Sequence, residues 1–254
     1  MARTANPALN KNTFTGFRSV PAESAMTIQG TVNKIFIMLL LVVAGAFYTW
    51  KLAFEAIQTD SLSASRAIVP WMIGGALGGF ITAIITVFKR TWAPVTGPVY
   101  AVLEGLFLGG ISALLEFQYP GIVIQAVALT MGILFTLLLA YKSRIIKPTQ
   151  NFRLGVFAAT GGVMLLYLFS FVLNLFGVPV AYLHSNSWFA IGINLVIVII
   201  ASLNLVLDFD FIEQGASSSA PKYMEWYAAF GLMVTLIWLY IEILRLLSKL
   251  ASRR

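Results

Sequence analysis

The chain has 254 residues, of which 59% are hydrophobic and only 11% charged, less than half the charge of a typical soluble domain, so a soluble globular protein is excluded. Its 19 Phe, 6 Trp and 9 Tyr exclude disorder, and the lack of Cys removes disulfides, thiolate metal sites and a cysteine nucleophile. The net charge of +7 would suit a nucleic-acid binder, but the basic residues fall between apolar stretches, where they report topology instead.

A polar segment, residues 1–34, comes first, with four basic residues and one acid (Arg3, Lys11, Arg18, Lys34; Glu23). It is too long and too polar for the charged start of a cleaved signal peptide and reads as a cytoplasmic tail before a retained helix. A hydrocarbon core about 30 Å thick needs about 20 apolar residues at 1.5 Å each. Seven stretches meet that length: Ile35–Ile57, Ile68–Phe88, Ala93–Leu115, Gly121–Tyr141, Leu154–Phe176, Trp188–Leu207 and Tyr223–Leu247. All are predicted to be helices, since only a helix satisfies its own backbone in lipid without closing a barrel. The organisation predicted is therefore an all-α polytopic membrane protein: a tail over 1–34, a seven-helix transmembrane domain over 35–247 and a basic tail over 248–254. Short joining loops carry turn chemistry, as in Tyr119-Pro120-Gly121 and Gly177-Val178-Pro179.

Charge sets the orientation. The tail and the second, fourth and sixth loops hold eleven Lys and Arg, including Lys89, Arg90, Lys142, Arg144, Lys147 and Arg153, against Lys51 and Arg66 on the other side. The N-terminus is therefore expected in the cytoplasm. Arg245, Lys249, Arg253 and Arg254 oppose the rule if the chain crosses seven times. Either the last segment is re-entrant, or seven crossings hold and the rule is broken there; seven crossings is the reading adopted.

Small residues predict close helix contacts. Gly74, Gly75, Gly78 and Gly79 form two interlaced pairs four apart in the second stretch, Gly105 and Gly109 a third in the third, and Gly161 and Gly162 are expected to act similarly in the fifth.

The ten acids are the most informative residues. Glu104 lies in the middle of the third stretch, where a charge costs on the order of 3 kcal/mol by insertion scales, so it must face the protein interior. It is either a neutral acid that fixes packing or the lining of an ion or proton path. In the sixth stretch Asn194, Ala201, Asn204 and Asp208 fall on one face at 100° per residue, a polar stripe directed at protein or water. Asp208 and Asp210 point about 200° apart on a helix, and Asp210 and Glu213 are expected to be solvated residues at its end. In the last stretch Thr235, Trp238, Glu242 and Arg245 share a broad face, and Glu242 can pair with Arg245 three residues on.

Three stretches, PVYAVLEGLFLGGIS (Pro98 to Ser112), LVLDFDFIE (Leu205 to Glu213) and IWLYIEILRLL (Ile237 to Leu247), give the chain a likeness. It resembles the Bax inhibitor-1 family of membrane proteins, in its prokaryotic, YccA-like branch. The resemblance implies a seven-helix bundle with a central last helix, and a pH-sensitive calcium leak in which an acid of helix six pairs with an acid of helix seven. It carries the first acid to Asp208, with Phe209 and Asp210 where the family has Thr and Gln, and the second to Thr235, so the acid pair is broken here. Glu242 lies on the same face about 10 Å further along and would substitute only if the helix shifted by that distance.

The function expected is a pH-modulated cation pathway with Ca2+ as the transported ion and no bound cofactor. Asp208, Asp210, Glu104, Asn204 and backbone carbonyls would supply oxygen ligands, with a transient Ca2+ contact at Asp208 and Asp210. The alternative is a non-conducting regulator that docks on a membrane protease or stress-pathway protein. An enzyme is not expected, because there is no HExxH and Asp208 and Asp210 do not face one another as an aspartyl dyad would. The setting expected is a bacterial inner membrane, with lipid and not nucleic acid as the surroundings.

Overall fold

The computed structural model describes residues 25–57, 61–177 and 187–253, with side chains from 66 onward in the second helix. The expected tail up to residue 24 lies outside the described residues. Among those described the protein is all-helical: α1 Ile28–Ile57, α2 Ser61–Phe88, α3 Ala93–Gln118, α4 Ile122–Lys142, α5 Gln150–Leu175, α6 Trp188–Ser217 and α7 Met224–Ala251. All seven are long and apolar enough to cross a membrane. The last two are the most buried, at 56% and 61% of their apolar windows.

Local chemistry explains the helix starts. The Thr27 hydroxyl accepts a hydrogen bond from the Gly30 N–H at 2.9 Å, so α1 begins seven residues before its apolar stretch. Thr149 caps α5 by accepting from the Phe152 N–H. Glu116 closes the turn into α4, its two oxygens accepting from the N–H groups of Gly121 (2.6 Å) and Val123 (3.0 Å), where the helix dipole favours an anion. Gly121 holds φ at +85°, a conformation open to glycine.

Two helices differ from the sequence expectation. α6 continues to Ser217, ten residues past Leu207, because Phe209, Phe211 and Ile212 are buried and extend its packing surface. Asp208, Asp210 and Glu213 therefore lie inside a continuous helix. α7 is unbroken over 28 residues, about 42 Å, which favours a full crossing over a re-entrant segment.

The chain divides into two compact units, one over 14–123 and 211–234, the other containing 124–210 and 235–254. In the first, α3 packs on α1 and α2 through glycine. A Cβ on Gly45 would sit 2.7 Å from the Val102 carbonyl oxygen, one on Gly105 would sit 3.0 Å from Val42 Cα, and one on Gly75 would meet the Leu103 oxygen at 2.5 Å. Gly79 faces the Glu104 carboxylate, whereas Gly74 faces open space. Gly75 and Gly79 thus form the working pair of α2. Gly161 and Gly162 in the second unit have nothing within 4 Å of a Cβ position, so the contact expected of them is not made.

Candidate functional site

The polar face of α6 organises the second unit. Asn194, Ala201, Asn204 and Asp208 are all buried, as their angular spacing predicted. Buried polar groups of this kind persist when they are hydrogen-bonded, and the partners fall into two layers.

The first layer lies toward the C-terminal part of α6. Asn204 Nδ2 donates to Thr160 Oγ1 on α5 and to the Ile200 carbonyl, each at 2.8 Å. Asp208, one turn on, has no exposed surface. Asp210, expected to be solvated, is instead buried and accepts from Arg153 Nη2 at 2.6 Å. The two side chains are only 14% and 11% exposed, so the pair is shielded from water and is stronger than a surface ion pair. Asp210 turns toward α5, so it does not form a clamp with Asp208. Among the described residues no three Asp, Glu or His come close enough to hold a metal ion.

The second layer centres on Glu242 of α7. Its Oε1 accepts from the Tyr167 hydroxyl at 2.7 Å and from Arg245 Nη1 at 3.1 Å, and its Oε2 accepts from Asn194 Nδ2 at 3.1 Å. Arg245 Nη1 also donates to the Tyr167 oxygen at 2.5 Å, and Lys249 Nζ donates to Asn194 Oδ1. The i,i+3 pair of Glu242 and Arg245 read from the sequence is present, but as part of a buried network joining α5, α6 and α7.

These bonds fix the helix register. Glu242 meets α6 at Asn194, and Asp208 lies fourteen residues, about 21 Å, further along that helix. Glu242 therefore does not substitute for the missing acid opposite Asp208. Asp208 and Thr235 are both buried. The helix-seven position to which the resemblance carries the second acid is held by a hydroxyl, that of Thr235.

Glu104 is in the other unit, half-buried on α3 with its carboxylate against Gly79 of α2. That unit also holds an acid that the sequence did not single out. Glu225, at the start of α7, is fully buried, and its Oε1 accepts from both the Thr27 N–H (3.0 Å) and the Thr27 hydroxyl (2.9 Å). Lys34 and Lys222 complete its surroundings at 3.0 and 2.9 Å. Tyr167, Arg153, Thr160 and Lys249 were also missed. Tyr167 did carry a signal: it lies within an apolar helix, away from both ends, where a phenol needs a partner.

Seven helices long and apolar enough to cross a membrane define a polytopic α-helical membrane protein. The family model described as Bax inhibitor 1 like matches residues 6–252, nearly the whole chain, and the protein belongs to that family. No curated protein and no solved structure matches it.

Proposed function

We propose that this protein is a regulated cation leak, with Ca2+ as the candidate ion, and that Asp208 is the carboxylate the ion meets. The observation that carries this reading is the placement of Asp208: fully buried in a membrane-crossing helix, one turn from the buried Asn204. An ionisable group so placed is costly and marks a pathway more readily than a packing role. Asn204, Thr235 and backbone oxygens are neutral ligands suited to transient contact with a hard cation. Asp210, held by Arg153, acts in this reading as a gate charge and not as a ligand. Protonating Asp208 removes the charge that attracts the ion, so flux falls with acidification. No bound cofactor and no enzymatic step are invoked.

The orientation we propose has the N-terminus in the cytoplasm of a bacterial cell and the protein in its inner membrane, supported by the eleven-to-two bias in loop charge. Arg245 and Lys249 weigh little against this assignment, because both are engaged within the protein instead of in a loop. The test is Ca2+ flux into liposomes between about pH 6 and 8. Asp208→Asn is expected to lower flux at the alkaline end; identical flux in both proteins at every pH overturns the reading.

One feature favours a second reading, a non-conducting regulator of a membrane protease or stress-pathway protein. α5 and α6 border an apolar groove of about 640 Å3 in which Gly162 and Gly192 leave open space, a shape that admits another helix. Gly162→Leu would then abolish partner capture while leaving flux unchanged.

A further inference from the structure

A cavity of about 230 Å3 opens between α5, α6 and α7 beside the Glu242 network. Five of its lining residues carry hydrogen-bond donors: Tyr167, Ser170, Asn174, Asn194 and Arg245. No acid lines it. Arg245 bonds Tyr167 and Glu242 through one nitrogen, Nη1, while its side chain remains 40% exposed. Among the described residues Arg245 is the one charged residue that lines the cavity. A guanidinium bordering a cavity in a membrane-crossing segment favours an anion there. The guanidinium fork, a hydroxyl and two amides suit the tetrahedral oxygens of a phosphate better than a planar ligand.

Position indicates where that phosphate comes from. Arg253, eight residues or about 12 Å beyond Arg245 on α7, lies 4.2 Å over the Trp188 ring at the start of α6. An exposed Trp beside an Arg is the signature of the headgroup region. The cavity thus lies within snorkelling reach of the interface, and its apolar wall continues into exposed Phe171, Leu175 and Phe176 on α5, surfaces suited to acyl chains.

We infer that this cavity binds a phosphate oxyanion, supplied by the headgroup of an anionic phospholipid, with Arg245 as its charge partner and Ser170 and Asn174 as hydrogen-bonding groups. The site is separate from the proposed ion path and does not depend on it.

The test is thermal unfolding of the full chain in detergent micelles doped with phosphatidylglycerol, with phosphatidylcholine, or with inorganic phosphate alone. Phosphatidylglycerol well above its Kd is expected to raise Tm by about 5 °C, phosphatidylcholine by much less. Arg245→Gln removes the charge partner but disturbs the Glu242 network, so Asn174→Leu, on an exposed residue outside that network, is the second variant. It is expected to keep the unliganded Tm and lose most of the shift. Inorganic phosphate matching phosphatidylglycerol keeps the oxyanion site but overturns the lipid as its source. Equal shifts with both lipids and none with phosphate, or an undiminished shift in Asn174→Leu and Arg245→Gln, overturns the site.

Discussion

Asn194 of α6 donates to Glu242 of α7, and Asp208 lies fourteen residues, about 21 Å, further along α6, so Glu242 and Asp208 do not meet. Two acids at one level share a proton, whereas Thr235 supplies a hydroxyl where the resemblance places the second acid.

Restoring the second acid tests that relationship. Thr235→Asp is expected to make Ca2+ flux change more steeply between about pH 6 and 8, because like charges held at one level raise the affinity of the pair for its first proton. Flux assays in liposomes over that range check it, and Asp208→Asn added to Thr235→Asp should return the profile to a single shallow step. A profile for Thr235→Asp that overlays the parent protein would mean the two side chains do not meet.

The Glu242 network makes a prediction about stability. Glu242→Gln removes the carboxylate charge that pairs with Arg245 and accepts from Tyr167 and Asn194. Removing one partner of a buried pair costs about 3–5 kcal/mol, and the part-exposure of Arg245 places this variant near the lower end, about 3 kcal/mol. Tyr167→Phe removes a single hydroxyl from the same network and is expected to cost about 1 kcal/mol. Unfolding titrations in mixed micelles should rank the two in that order.

The seven helices were legible in the sequence because length and apolarity alone determine what can cross a bilayer, and the buried stripe of α6 followed from 100° spacing. The end of α6 was not legible. The run Asp208-Phe209-Asp210-Phe211 alternates charge and aromatic and reads as a frayed interfacial end, while the burial of Phe209 and Phe211 is what continues the helix. The partners of Glu242 divide in the same way. Arg245 is three residues away and follows from helix geometry, whereas Tyr167 and Asn194 are 75 and 48 residues distant and meet it only through tertiary register. Glu225 looked like an ordinary first-turn acid; its enclosure depends on residues 27 and 34 returning to the start of α7.

The glycines of the first unit give a contrast between neighbouring positions. A Cβ on Gly105 would press on Val42 of α1, backbone that cannot yield as a side chain can, so Gly105→Ala is expected to destabilise the protein by about 1–3 kcal/mol. Gly74 has nothing within 4 Å, and Gly74→Ala should be neutral or stabilising by up to about 1 kcal/mol through helix propensity. Comparing the two by the same unfolding titration separates helix contact from propensity, since both substitutions add one methyl group.

Arg153 and Asp210, 57 residues apart and 2.6 Å in contact, link α5 to α6 two residues beyond Asp208. Because both are shielded from water, Arg153→Gln and Asp210→Asn are each expected to destabilise, and a double-mutant cycle should return a coupling of about 1–3 kcal/mol. A purely structural pair would stop there. If the pair gates the path, either single variant also raises Ca2+ leak several-fold at neutral pH, and the reversed pair, Arg153→Asp with Asp210→Arg, lowers it again by restoring the opposite charges at the same two positions. Leak that tracks loss of stability but is not lowered in the reversed pair would assign Arg153 and Asp210 to packing alone, and leave Asp208 as the only acid of α6 with a role in conduction.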